Sequence, residues 1–198
     1  MTAVSGVLLA GGRGLRFRGD KRMARVRGIP LLAWTAALLG SVADDVVVVT
    51  RDEAGLRGRW HYVRDEILDR GPMCGLLTGL RAVRGERALV LAVDMPLVTV
   101  DFLKYLVEAS TEADITLPRW ERIEPLVGVY SRTCIPPLAA SLEEGRDSLV
   151  DFVQSTALRV RFIGEEEIRR FDEPRRLFFN INAPEDVETA EVLLGGRK

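Results

Sequence analysis

Glycines and a run of cations come directly after an apolar stretch near the start of the chain. Residues 7–21 read Val-Leu-Leu-Ala-Gly-Gly-Arg-Gly-Leu-Arg-Phe-Arg-Gly-Asp-Lys. Gly11, Gly12 and Gly14 let the backbone turn tightly and bring its N–H groups against a ligand with no Cβ in the way. Successive exposed N–H groups make an anion-binding concavity. Arg13, Arg16, Arg18 and Lys21 add positive charge in the same loop. The combination predicts a phosphate cradle; the plainer alternative is a glycine turn with solvated arginines. Lys21 stands out either way, because the other lysines are only Lys104 and Lys198 in an arginine-rich chain.

A second feature is Asp94, which comes after the apolar residues 88–93 and precedes Met95-Pro96. A carboxylate ending a buried strand is placed to hold a hard cation. Mg²⁺ prefers oxygen ligands and commonly takes one or two carboxylates plus substrate phosphates. Taken alone, Asp94 reads equally as a turn residue before proline.

Two familiar phosphate loops fail against residues 7–21. The dinucleotide pattern G-x-G-x-x-G, started at Gly12, meets Phe17 where the third glycine belongs. The pattern G-x-x-x-x-G-K-[ST], started at Gly14, reaches Gly19, but Asp20 intervenes before Lys21. The pattern that fits is L-A-G-G-x-x-x-R-x-x-x-D-K, carried by Leu9, Ala10, Gly11, Gly12, Arg16, Asp20 and Lys21. It resembles the signature of nucleotidyltransferases that join a nucleoside monophosphate to a phosphorylated acceptor, in particular the molybdenum cofactor guanylyltransferases of the MobA type. The segment 93–96 resembles that family's C-D-x-P motif, with Val93 replacing Cys, and residues 180–186 resemble its N-x-N-T-P-E-[DE] segment. The likeness is dense over residues 7–39, 65–80, 91–97 and 180–187 and loose in the middle third.

The resemblance implies a three-layer, Rossmann-like α/β nucleotidyltransferase fold in a single domain spanning residues 1–198. It implies nucleotide binding by Leu9, Ala10, Gly11, Gly12, Arg13, Lys21, Asp65 and Asp94. Arg16, Lys21 and Asp94 would act in catalysis, with Mg²⁺ held by Asp94 and Asn182. Asn182 reads equally as a turn cap before a helix. The family's guanine-contacting aspartate precedes a G-P-L-A-G segment, matched here by Gly71-Pro72-Met73-Cys74-Gly75. A carboxylate accepts both the N1–H and the N2–H₂ of guanine, a pairing adenine does not offer. Asp65 is the better match and Asp69 the competitor; a solvated surface aspartate is the third reading. The implied reaction moves GMP from GTP to molybdopterin. A sugar phosphate or cobinamide phosphate as acceptor, or nucleotide binding without turnover, are the competing readings. The sequence departs from the family at Gly14, Phe17, Arg18, Val49-Thr50 and Glu124, the last where histidine is frequent before the proline.

The elements that must position these residues alternate. The pattern predicts strands at 7–10, 46–49, 61–63 and 88–93, with helices at 31–39, 73–83 and 100–109 between and after them. That order argues for α/β architecture with a mainly parallel sheet. Gly28-Ile29-Pro30 reads as a turn, with Pro30 at a first helical position. Residues 115–117, 126–130 and 159–163 read as further strands, and 132–144, 147–155 and 165–171 as partly helical. Pro184 opens a last helix. Residues 112–163 break the alternation, which suggests a small inserted lobe. Ligands of open α/β sheets bind beyond the carboxyl ends of strands, where both Gly11 and Asp94 fall.

Composition sets the remaining bounds. The 198 residues suit one domain. A net charge of −1 implies no general polyanion-binding surface, so nucleic acid is not an expected partner. Cys74 and Cys134 lack metal or disulfide-framework spacing. No apolar run approaches the ~18 residues of a membrane span, and residues 1–5 lack a charged leader, so a soluble cytoplasmic protein with no membrane partner is expected. His61, the only histidine, has no nucleophile partner and reads as structural. Trp34 fits an amphipathic helix. Trp120 reads as a partly buried surface residue or as a cover for the acceptor.

Overall fold

The structure, a computed structural model, describes residues 4–11, 17, 20–52, 60–65 and 71–196. β1 (Val4–Leu9) is buried along its whole length. It begins before the apolar run seen at Val7, because its polar and glycine positions are accommodated locally. The Ser5 hydroxyl accepts the Gly85 N–H at 3.0 Å. Gly6 lies so close to Ala43 and Val46 that a Cβ would stand 3.3 Å from each.

After the glycine loop, Lys21–Met23 form a single 3-10 turn capped by Asp20, whose carboxylate accepts the Arg22 N–H. β2 (Arg25–Val26) and β3 (Ile29–Pro30) make a hairpin. This corrects the expected turn at Gly28-Ile29-Pro30. The turn is Arg27-Gly28, with φ of 50° and 75°, the left-handed pair that a two-residue hairpin demands. Pro30 pairs with Arg25 and caps α1 (Leu31–Gly40) from outside instead of entering it.

β4 (Asp45–Thr50), β5 (His61–Arg64), α2 (Pro72–Ala82), β6 (Arg87–Ala92) and α3 (Val100–Ala109) keep the predicted alternation. β7 (Ile115–Pro118), β8 (Val127–Ser131), α4 (Ile135–Glu143), α5 (Leu149–Ser155) and β9 (Val160–Ile163) come next. The chain closes with α6 (Glu165–Ile168), α7 (Pro174–Leu177) and α8 (Glu185–Gly195). Among the described residues no helix is long and apolar enough to cross a membrane.

The main sheet has seven strands in the order β5-β4-β1-β6-β8-β7-β9. Pairings β4–β5, β1–β4, β1–β6 and β7–β9 are parallel; β8 runs against both neighbours. Residues 112–163 therefore do not stand apart as an inserted lobe. Their three strands extend the same sheet, and the alternation breaks because β8 is reversed and joins β7 without a crossover helix.

Side chains alternate across each strand, so the sheet feeds two cores. Leu8, Val48, Leu89 and Leu91 pack with α1, α3 and α8 on one face. Val7, Val47, Val49, Ala88 and Val90 pack with α2, α4 and α5 on the other. The result is the expected three-layer α/β arrangement. Helix α2 lies close against β1: a Cβ at Gly79 would sit 2.5 Å from the Val7 side chain. That close seating fixes Gly75 and Thr78, earlier in the same helix, beside the carboxyl ends of β4 and β5.

Candidate nucleotide site

Strands β5, β4, β1 and β6 are mutually parallel, so their carboxyl ends open on one edge. β8 starts at that edge because it is antiparallel to β6. A cavity of about 520 Å³ lies there. Its lining includes Leu9, Ala10, Gly11, Lys21, Asp65 and Asp94, all singled out in the sequence. Gly12, Arg13, Arg16, Arg18 and Asp69 lie outside the described residues.

At the β6 end, the turn carrying Asp94 is tied down by backbone contacts. Val93 N–H donates to Leu9 O at 3.0 Å, and Ile181 N–H donates to Asp94 O at 2.9 Å. The Trp34 indole N–H donates to Pro96 O at 2.9 Å, which gives this tryptophan a role in holding the turn. The Ile181 bond brings the neighbouring Asn182 to the same place. Lys21 Nζ then donates to Asp94 Oδ2 at 2.7 Å and to Asn182 Oδ1 at 3.3 Å. The structure thus brings together the three residues predicted to serve phosphate and metal, from positions 73 and 161 residues apart in sequence.

Asn182 does not cap the last helix. No side chain caps that helix; Asp186, in its first turn, reaches back and accepts the N–H groups of Asn182 at 2.7 Å and Ala183 at 2.8 Å. The Asn182 amide is left to face Lys21. Asn180 instead donates to Phe178 O at 3.0 Å.

The donor set fits a hard cation. Asp94 Oδ1 is buried with no hydrogen-bond partner among the described residues. Leaving a buried carboxylate oxygen unpaired is costly, so it marks a place for a positive partner. Asp94 and Asn182 offer side-chain oxygens, as Mg²⁺ prefers. Among the described residues no three His, Cys, Asp or Glu gather into a metal-binding set. A cation held here would draw its remaining ligands from phosphate and water.

At the opposite end of the cavity, Asp65 comes directly after β5 and is buried, at 9% exposure. Its N–H donates to Thr50 O at 2.8 Å, extending the β4–β5 pairing by one step. The Thr78 hydroxyl lies 3.4 Å from Oδ1. A Cβ at Gly75 would come 3.6 Å from Oδ2, so α2 passes directly beside the carboxylate. β5 and β6 are three strand spacings apart, roughly 14 Å. One cavity therefore has a carboxylate at each end, with the start of the glycine loop between them.

Two residues at the site are marked by no motif in the sequence. Arg22 commits its whole guanidinium to local contacts. It grips Asp20 through Nε at 2.8 Å and Nη2 at 2.7 Å, Thr50 Oγ1 through Nη1 at 2.5 Å, and Asp52 through Nη2 at 2.9 Å. Its bond to Asp20, ahead of the opposing cost of burial, raises the Arg22 pKa, and the same bond lowers that of Asp20. Arg22 thus ties the turn that carries Lys21 to the end of β4. Arg51 Nε donates to Gly11 O at 2.6 Å and steadies the start of the glycine turn. Its one sequence signal is a charged residue directly after a buried strand.

Other candidates take structural places. His61 is exposed at the start of β5, the edge away from the cavity. Both cysteines are buried, and burial pushes the Cys134 thiol up to about 12, so it stays protonated. Glu124 is buried, with its Oε1 accepting from Trp120 Nε1 at 3.2 Å and Arg122 Nε at 2.6 Å. Trp120 packs against the core beside it.

Known proteins resemble this chain over nearly its whole length. Residues 6–159 match the family described as MobA-like NTP transferase domain. The chain is 32% identical over 195 residues to a probable molybdenum cofactor guanylyltransferase of Pelotomaculum thermopropionicum, covering 98% of this chain and 94% of that protein. It is 32% identical over 198 residues to the molybdenum cofactor guanylyltransferase of Desulfosudis oleivorans, covering 98% and 97%. Among solved structures, molybdopterin-guanine dinucleotide biosynthesis protein A from Archaeoglobus fulgidus superposes with a TM-score of 0.81 at 26% identity, over 98% of this chain and all of that one. A 2-C-methyl-D-erythritol 4-phosphate cytidylyltransferase from Thermus thermophilus shares the fold, with a TM-score of 0.71 at 19% identity and coverage of 96% and 98%. With the match spanning most of the chain and both ends of the cavity, the chain belongs to the MobA-like NTP transferase family.

Proposed function

We propose that this chain, acting as a single nucleotidyltransferase domain, transfers GMP from GTP to molybdopterin with release of pyrophosphate. The observation that carries the reading is the convergence of Lys21, Asp94 and Asn182 at one end of a cavity that has Asp65 at the other. The named relatives support molybdopterin as the acceptor.

In this reading the acceptor's phosphate oxygen attacks the α-phosphorus of GTP. A new P–O bond forms, the bond from the α-phosphorus to the bridging oxygen breaks, and that oxygen leaves with pyrophosphate. The attacking phosphate is already ionised, so the protein supplies no base. What remains is positioning and charge stabilisation, as in other phosphoryl transfers. Lys21 donates hydrogen bonds from its ammonium to phosphate oxygens and offsets the charge gathering on pyrophosphate. Gly11, Gly12, Arg13 and Arg16 serve the phosphates, and Leu9 and Ala10 floor the site. Asp94 and Asn182 would hold Mg²⁺, which neutralises phosphate charge when bound. Asp65 accepts from the guanine edge.

The test is direct. Protein and Mg²⁺ are incubated with GTP, CTP or ATP and with molybdopterin, cobinamide phosphate or a sugar phosphate, while pyrophosphate is measured. Release is expected only with GTP and molybdopterin together. Release that requires a different acceptor would overturn the acceptor; no release with any pair would leave binding without turnover.

Arg22 gives a second expectation. Arg22→Gln loses the fork that joins Asp20, Thr50 and Asp52 and lets Lys21 wander. Small misplacements of a catalytic group cost up to about 10²-fold. The kcat/KM for GTP is expected to fall roughly 10–100-fold, with a far smaller change when Lys21 is already replaced through Lys21→Met. Equal losses in the two backgrounds would show that Arg22 does not act through Lys21.

A further inference from the structure

We infer that Lys21 occupies the cation position of the Asp94–Asn182 pair until a triphosphate draws it away, so that a divalent metal is admitted with the nucleotide and resisted without it. The inference rests on the assignment of Asp94 and Asn182 as metal oxygens.

The contacts set up a competition. Lys21 Nζ lies 2.7 Å from Asp94 Oδ2 and 3.3 Å from Asn182 Oδ1, the oxygens that a dication would use. The other carboxylate oxygen, Oδ1, is buried without a hydrogen-bond partner among the described residues, and a dication seated on it would still stand beside the ammonium held on Oδ2. The Lys21 and Asp94 side chains are only 14% and 21% exposed, so water screens their pairing less than at an open surface.

Charge decides the outcome. Asp94 and Lys21 neutralise each other. A dication added to that pair leaves two positive charges in excess within a few ångström, and like charges this close repel strongly away from bulk water. A triphosphate reverses the balance. Its oxygens offer the ammonium new acceptors and release Oδ2 to the metal.

The side chain is built for the exchange and the backbone is not. Asp20 and Arg22, on either side of Lys21, are locked to each other by charge-assisted bonds at 2.7–3.0 Å. A lysine has a flexible four-carbon stem carrying three donors. The ammonium can therefore change partners while the turn stays in place.

The probe is Mn²⁺ binding, monitored through the spectrum of the unbound ion, to full-length protein without nucleotide. The unmodified protein is expected to bind weakly. Lys21→Met, nearly the same length without charge, is expected to bind Mn²⁺ on the order of 10–100-fold more tightly, the usual scale for groups beside a metal's ligands. Lys21→Gln should do the same, and Lys21→Arg, which keeps the charge, should stay weak. GTP should tighten Mn²⁺ binding far more in the unmodified protein than in Lys21→Met. Equal Mn²⁺ affinity of Lys21→Met, Lys21→Gln and unmodified protein would overturn the inference while leaving the metal assignment standing. If adding Asp94→Asn to Lys21→Met leaves Mn²⁺ binding unchanged, the metal assignment itself fails, and the inference with it.

Discussion

Asp94→Asn is expected to lower turnover by about 10²–10³-fold, the range seen when a single preorganised electrostatic group is lost from an active site. The substitution keeps the shape of the side chain and leaves one oxygen. It removes the negative charge, however, and turns one of the two acceptor positions into a donor. Lys21 can still reach the remaining oxygen, so the turn held by Val93, Ile181 and Trp34 should persist. Loss should therefore appear in chemistry more than in folding. Charge on the departing pyrophosphate grows as the bond breaks, so a group that handles that charge contributes more in the transition state than in the bound substrate. The expected signature is a large fall in kcat with a modest rise in the KM for GTP, and a Mg²⁺ requirement shifted to higher concentration. The measurement is pyrophosphate release across a Mg²⁺ titration. A variant with turnover within about threefold of the original at every Mg²⁺ concentration, far short of the loss expected for such a group, would place the metal and the charge stabilisation on other residues.

Much of this site is legible in the sequence because it hangs on strand ends. β1, β4 and β6 are short, apolar and mostly β-branched or leucine-rich, which buried parallel strands must be. Once these strands are recognised, the residues just past their carboxyl ends must share one edge, whatever the sequence distance. Gly11 and Asp94 are found by that reasoning. Residues whose place depends on register are not. Arg22 and Arg51 look like two more arginines in an arginine-rich chain. Only the pairing of β1 with β4 brings Thr50, Asp52 and Gly11 within their reach. The cap reading of Asn182 fails for a similar reason: its side-chain oxygen accepts from Lys21, 161 residues away in sequence, a contact that nothing local announces. The expected lobe at 112–163 comes from treating a broken alternation as a boundary. A reversed strand breaks the pattern equally well and stays in the sheet. α7 is four residues long, too short to show any periodicity.

Asp65 should govern which base is accepted, with the second large effect. The residue is buried, fixed through its N–H to Thr50 O, and flanked by Thr78 and Gly75. A buried carboxylate with fixed geometry presents acceptors only. Guanine answers with two donors, N1–H and N2–H₂. Adenine and cytosine each present one donor beside one acceptor, so with them a lone pair would face a lone pair. Hydrogen bonds to a charged group contribute roughly 1.5–3 kcal/mol each, and a site built for one edge rejects analogues because its own groups are left unpaired. Asp65→Ala is therefore expected to cut kcat/KM for GTP by about a hundredfold, with little change in affinity for plain triphosphate. Asp65→Asn is the sharper probe. Its amide offers one donor and one acceptor, which suits adenine or cytosine and opposes guanine. GTP use should fall at least as far as in Asp65→Ala, while ATP or CTP use holds or rises. Asp69→Ala, made alongside, should leave base preference untouched. Full GTP preference in both Asp65 variants, together with its loss in Asp69→Ala, would move the contact to Asp69. A preference for CTP in the unmodified protein would end the guanylyltransferase reading and leave a nucleotidyltransferase that Asp65 serves in some other way.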